Sequence, residues 1–274
     1  FYKNKKVLIT GHTGFKGSWI SIWLTKLNAK IYGISKDVPT NPSLFKLLNL
    51  EKDIKHHQLD IRDFKLLLKC INKIKPDIIF HMAAQSLVSK SFADPLNTFS
   101  TNIIGTGNIL ECLKRMEHPC IGIIITSDKC YDNLELDRGY HEKDILGGKD
   151  PYSASKGSAE LLFKSYFHSF FINQERIRVS TVRAGNVIGG GDWAKNRIIP
   201  DCIRAWANNK SVIIRNPKST RPWQHVLEPL SGYLHLGHEL YNNCNLNGES
   251  FNFGPLPENN HTVLELIQEM INNY

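Results

Sequence analysis

Tyr152 and Lys156 stand four residues apart in Tyr152-Ser153-Ala154-Ser155-Lys156. On a helix that spacing puts both side chains on one face. A free tyrosine, with a pKa of about 10, is a poor base at neutral pH. A lysine ammonium beside it, joined by the positive ring of an oxidised nicotinamide, favours the phenolate. Such a pair can take a proton from an alcohol while the lysine holds a ribose. Ser127 adds a hydroxyl at the end of the apolar run 121–126. At the C-terminal edge of a sheet, Ser, Tyr and Lys would gather around one substrate hydroxyl.

A second group handles phosphate. Gly11-His12-Thr13-Gly14-Phe15-Lys16-Gly17 directly follows the apolar run 7–10. Gly11 suits a tight turn, Gly14 a close approach of backbone to a pyrophosphate, and Gly17 close packing of helix on strand. The phosphate would sit on unpaired N–H groups at the helix N-terminus. An acid about 20 residues on normally accepts from the ribose 2′-OH. Here the stretch reads Ile34-Ser35-Lys36-Asp37. Ser35 takes the acceptor's place and Lys36 would suit a 2′-phosphate, so this strand end fits NAD and NADP alike.

Alternating strands and helices must position these groups. The apolar pattern predicts strands over 7–10, 30–35, 58–61, 77–84, 121–127 and 178–187. It predicts helices over 18–27, 64–74, 95–116 and 151–171, with His56-His57 in a solvated loop. Repeated units of this kind make a doubly wound parallel α/β sheet of Rossmann type. After residue 188 the rhythm breaks. A loop over 189–192 leads to helices over 198–207, 226–241 and 262–273 and short strands over 211–215 and 251–254. We therefore expect a dinucleotide-binding domain over 1–187. A smaller, partial substrate-binding region over 188–274 lies across the sheet's open end, and its 251–254 strand returns to the main sheet.

The glycine loop, His81-Met82-Ala83-Ala84, Asn102 and the Tyr152/Lys156 pair together resemble the extended short-chain dehydrogenase/reductase family over roughly residues 5–255. The resemblance implies NAD as cofactor. Asp60 and Ile61 would contact its adenine, and Ala83, Ala84, Asn102 and Thr126 would line its groove. It also implies a nucleotide-sugar substrate, a homodimer built on helices 95–116 and 151–171, and several tens of residues beyond Tyr274 that help close the nucleotide pocket.

Asp128 and Lys129 follow Ser127 directly. An enzyme that only oxidises a sugar at C4, turns the sugar and reduces it again has no use for such a pair. One that eliminates water does. A ketone at C4 acidifies the C5 proton, a base removes it, an acid protonates the departing C6 hydroxyl, and the stored hydride returns to C6. Asp128 suits the acid and Lys129 the base, if burial raises the first pKa and burial or the cofactor's charge lowers the second. This pair, with Arg183-Ala184-Gly185-Asn186-Val187 and Thr220-Arg221-Pro222-Trp223-Gln224-His225-Val226, resembles the nucleotide-sugar 4,6-dehydratases, in particular those taking CDP-glucose. Dehydratases or 4-epimerases of UDP-, dTDP- or GDP-sugars, and a non-catalytic NAD-binding regulator, stand as alternatives. By the same resemblance Gln85, Ser86 and Asn186 face the sugar, with His225 nearby. Arg197, opening a helix, and Arg221 hold the pyrophosphate.

The composition agrees with a small anionic ligand. Lys and Arg number 34 against 26 Asp and Glu, a net charge of +8. These cations are scattered, which fits a phosphorylated small molecule rather than nucleic acid. An apolar content of 41% excludes a disordered chain. No apolar run approaches the roughly 20 residues of a membrane helix, and the first is too short for a secretory signal. Six cysteines without a Cys-x-x-Cys fit a reducing cytoplasm. His235, His238 and Glu239 share a helix, but no metal is required by this chemistry.

Overall fold

The chain runs β1 (Lys6–Thr10), α1 (Phe15–Lys26), β2 (Lys30–Ser35), α2 (Leu44–Leu47), β3 (Ile54–Gln58), α3 (Phe64–Ile74), β4 (Ile78–His81), α4 (Val88–Ala93), α5 (Pro95–Phe99), α6 (Gly105–Lys114), β5 (Cys120–Ile125) and α7 (Pro151–Tyr166). It continues through β6 (Ile177–Ala184), β7 (Val187–Ile188), α8 (Ile198–Trp206), β8 (Thr220–Arg221), β9 (Gln224–His225), α9 (Leu227–Asn242), β10 (Ser250–Phe253), β11 (His261–Thr262) and α10 (Val263–Asn273). These elements come from a computed structural model that describes residues 1–256 and 260–273.

Seven strands form one parallel sheet in the order β10-β6-β5-β4-β1-β2-β3. The order reverses between β1 and β4, and the carboxyl ends on either side of such a point form a crevice for ligands. Side chains alternate across the sheet, as a two-residue period requires. Val7 and Ile9 join a core under α1 and α9, while Leu8 joins a core under α3, α6 and α7. In β5, Ile121, Ile123 and Ile125 face the first core and Ile124 the second. Each Leu or Ile fully buried this way contributes about 1.5–3 kcal/mol.

Local signals fix the helices that matter most. Asp150 caps α7, accepting from the N–H groups of Tyr152 at 3.0 Å and Ser153 at 3.1 Å, with Pro151 in the first turn. Between α5 and α6 the residues Ser100–Ile104 wind as a π-helical turn, the one irregularity in the segment expected as a helix over 95–116. It turns Asn102 inward.

Two expected strands differ. The strand expected over 58–61 is β3, ending at Gln58, and His56 and His57 belong to it rather than to a loop. This edge strand carries exposed polar residues on both faces, Lys55 on one and His56 and Gln58 on the other, which hides its period. The apolar stretch 211–215 finds no partner strand among the described residues, and Ile213 is 90% exposed. β8 instead pairs with β11. The 250–253 strand lies parallel to β6, Phe253 opposite Ala184. No helix among the described residues is long and apolar enough to cross a membrane.

Candidate active site

β5 ends at the crevice, and Ser127 caps a short 3₁₀ turn, Asp128–Cys130. The Ser127 hydroxyl accepts from the Lys129 N–H at 3.3 Å and donates to Asp128 Oδ1 at 2.9 Å. α7 buries Tyr152 and Lys156, which are only 8% and 5% exposed. Burial pushes the Tyr152 phenol up to about 12; the hydrogen bond with Ser127 works against this, the Asp128 charge adds to it, and Arg197 opposes it. Burial brings Lys156 down to about 8 against the pull of Glu160 and Cys130. Its ammonium points to the Ile125 carbonyl at 3.5 Å. Lys16, from the glycine loop, reaches the same centre. Burial lowers it to about 8, Arg197 and Lys156 repel its charge, and Asp128 supports it. Asp128 is half-buried, but Lys129 is exposed, so the burial expected of it is absent. Its neighbours Ser127 and Cys130 point inward, and the tight turn sends the intervening side chain outward.

The glycine loop is built around missing side chains. Gly11 adopts φ +76°, and a Cβ there would stand 2.8 Å from the Ala83 nitrogen. A Cβ at Gly17 would strike the Gly11 carbonyl. Gly14 begins α1 without a capping side chain, so the first-turn N–H groups are free for an anion. This cradle, facing Ala83 at the reversal point, fits the pyrophosphate of a dinucleotide.

Other expected cofactor contacts are engaged with the protein. The His12 ring is fully buried, with Nε2 2.8 Å from His56 Nδ1 and Nδ1 3.0 Å from Ser35 Oγ. Burial, aided by His56, holds it down to about 4, a neutral ring. Thr13 donates to the Asp37 carbonyl at 2.7 Å. Asp60 is bound by Arg62 at 2.6 Å and lies 3.7 Å from Lys36; the Arg62 hydrogen bond is the main reason its carboxyl is held below the usual range. Ile61 packs in the core under Gly105, and Phe15 is half-buried beside Gly189. Asn102 accepts from the Gln85 N–H at 2.8 Å and donates to the Gln85 carbonyl and to Ser155. Thr126 donates to Glu160. The side chains of Asn102 and Thr126 therefore brace the walls of the groove.

Among the expected substrate contacts, Arg197 is drawn to the Tyr152 centre from the start of α8, held by Asp192 at 2.8 Å. The Gln85 amide bonds Leu87 and Thr98. Ser86 is exposed and Asn186 half-buried beside β9. The Arg221 guanidinium donates to the Thr220 carbonyl at 2.6 Å, and exposed His225 accepts from the Leu227 N–H at 3.3 Å. His235, His238 and Glu239 bring ligand atoms within 4.8 Å of one another on α9, with no part in the centre above.

Two residues that the sequence reading passes over face this centre. Glu160 extends the Tyr152–Lys156 face by one more turn, a spacing visible in the sequence. Tyr233 of α9 is fully buried under the Lys16 ammonium, 5.9 Å from its ring centroid, with a hydroxyl lacking a partner among the described residues. Nothing local in the sequence marks it.

Known proteins resemble this chain in sequence and in fold. The profile of the GDP-mannose 4,6 dehydratase family matches residues 8–270. CDP-glucose 4,6-dehydratase of Salmonella typhimurium is 50% identical over 275 residues, 99% of this chain and 77% of that protein. dTDP-D-glucose 4,6-dehydratase of Dictyostelium discoideum is 33% identical over 84% of this chain and 54% of its own length. The fold matches the crystal structure of dTDP-glucose 4,6-dehydratase from Bacillus anthracis in complex with NAD, with a TM-score of 0.80 at 23% identity, covering 98% of this chain and 80% of that one. The chain belongs to the GDP-mannose 4,6 dehydratase family, the nucleotide-sugar 4,6-dehydratases of the extended short-chain dehydrogenase/reductase fold.

Proposed function

We propose that the protein is a CDP-glucose 4,6-dehydratase that uses NAD and regenerates it in each turnover. The observation that carries this reading is the hydroxyl of Ser127 lying between the Tyr152 phenol and the Asp128 carboxylate. One residue joins the group that removes a proton at C4 to the group that supplies one at C6. The choice of CDP-glucose rests on the 50% identity to the Salmonella enzyme, with the Asp128–Lys129 pair as its local sign.

Tyr152, with Ser127, removes the C4 hydroxyl proton while the Lys156 charge supports the phenolate. A nicotinamide held beside Tyr152 supplies the acceptor for the C4 hydride and its later return to C6. Asp128 protonates the departing C6 hydroxyl. Lys129, exposed on the same turn, removes the C5 proton once substrate covers it. Arg197 and the half-buried Lys16 neutralise phosphate charge.

Incubation with CDP-glucose and NAD tests this. The expected product is lighter by one water, with no net growth of reduced-nicotinamide absorbance. Steady accumulation of reduced cofactor marks a simple dehydrogenase, and an isomer of unchanged mass marks an epimerase. Parallel UDP-, dTDP- and GDP-sugars fix the base. The same reading takes the enzyme as a cytoplasmic homodimer. Exposed Leu96, Ile104, Leu161 and Phe170 around α5–α7 support the dimer, and sedimentation measures it.

A further inference from the structure

Glu160 and Arg183 form an ion pair with no exposed side-chain surface, Nη2 to Oε2 at 2.7 Å and Nε to Oε1 at 3.0 Å. A buried pair adds little net stability compared with apolar packing, yet losing one partner strands a buried charge. What the pair holds is therefore more telling than what it contributes to stability. On the Glu160 side, the carboxylate accepts from the hydroxyls of Thr126 and Thr181. On the Arg183 side, Nη1 donates to the Tyr131 hydroxyl at 2.7 Å and to the Glu142 carbonyl at 3.1 Å. Tyr131 donates onward to Asn252 of β10 at 2.7 Å. Its ring lies 5.0 Å under the guanidinium and stacks on Tyr140.

Thr126 precedes Ser127, and Tyr131 follows Cys130. Both ends of the segment that carries Ser127, Asp128 and Lys129 thus hang from one ion pair. The same Glu160 stands one helical turn beyond Lys156. We propose that the Glu160–Arg183 pair is a positioning element, setting the Ser127–Asp128 turn against the Tyr152–Lys156 face through Thr126 at one end and Tyr131 at the other. This rests on the dehydratase reading above. A displacement of about 1 Å at a reacting group can lower the rate about 10²-fold, so bracing at both ends has kinetic weight.

The Lys156 ammonium is faced by Glu160 on α7, Cys130 on the turn, Lys16 on α1 and His81 on β4. Of these Glu160 is the carboxylate, and its removal eases loss of the lysine proton. The alkaline limb of the activity profile then moves to lower pH, a shift that mere loosening of the fold would not produce.

The test compares the parent enzyme with Glu160→Gln and Tyr131→Phe on CDP-glucose with NAD, alongside melting curves. Glu160→Gln is expected to lose about 10²-fold in kcat with KM within about threefold, and to shift the alkaline limb downward. Tyr131→Phe keeps the ring and the ion pair. It is expected to melt near the parent temperature, lose about tenfold in kcat, and keep the limb in place. Should Glu160→Gln not fold, Tyr131→Phe and Thr126→Val decide through the same kcat loss. Parent-like kcat in Tyr131→Phe and Thr126→Val, or an unshifted limb in folded Glu160→Gln, overturns the inference alone. A parent enzyme inactive on every nucleotide sugar overturns the dehydratase reading and the inference with it.

Discussion

Ser127 donates to the Asp128 carboxylate at 2.9 Å, and the Tyr152 phenol lies close enough to that hydroxyl for it to oppose the upward push of burial on the phenol. Asp128→Asn keeps a partner for Ser127 but has no acidic proton for a departing hydroxyl. Its kcat should fall about 10²–10⁴-fold. Tyr152 and Lys156 remain intact, so the first mixing with substrate should leave reduced nicotinamide visible for longer than in the parent. Stopped-flow absorbance reads this. A variant that turns over normally would remove Asp128 from the reaction.

The pH profile follows from two buried groups. Tyr152 is pushed up to about 12 and Lys156 down to about 8, burial being the largest cause of both. Below pH about 8 the lysine keeps the charge that supports the phenolate, and above it that support is lost. Activity should decline as pH rises through that value. Lys156→Met should lower kcat at every pH and abolish this limb, as measured by initial rates across pH.

Acid sensitivity should trace to two histidines. Burial holds His12 down to about 4 and His81 down to about 3. His81 sits between Thr10 at 2.8 Å and Thr106 at 3.0 Å. The unfolded chain takes up these protons near pH 6.5, well before the folded chain does. The stability is therefore complete above that pH and drains away as pH falls toward 4. The melting temperature should drop over this interval, and His81→Leu should flatten the slope by about one proton.

Glycines 14 and 17 should separate binding from folding. A methyl group at Gly17 meets the Gly11 carbonyl, whereas at Gly14 it would stand 3.4 Å from that oxygen, an ordinary contact. Gly17→Ala should destabilise the protein by about 1–3 kcal/mol. Gly14→Ala should melt near the parent temperature yet bind NAD more weakly, because the added methyl faces the pyrophosphate. Calorimetry and cofactor titration distinguish the two.

The legible parts of this protein are local devices. A glycine cradle, a Tyr–Lys helical pair and a Pro-led helix start declare themselves within a few residues, and the long apolar strands follow from the same kind of pattern. Glu160 shows the limit. Its spacing from Lys156 is visible, but its meaning depends on Arg183, which reaches it only through the register of β6 beside β5. β3 escapes because Lys55, His56, His57 and Gln58 follow no apolar period on an edge. The 211–215 stretch misleads in the opposite sense, being apolar without a partner strand among the described residues. Lys129 reads as a base tuned by burial or by the cofactor's charge, and it stands exposed, since sequence alone does not say which way a one-turn helix faces.

Strand β10 carries a consequence for biosynthesis. It is the last strand of the main sheet to leave the ribosome, and until it arrives the outer edge of β6 has unpaired backbone groups. Tyr131 lacks its Asn252 acceptor over the same interval. A nascent chain interrupted before residue 250 therefore shows chaperones an open, adhesive margin, and its Ser127–Tyr131 segment awaits its final anchor.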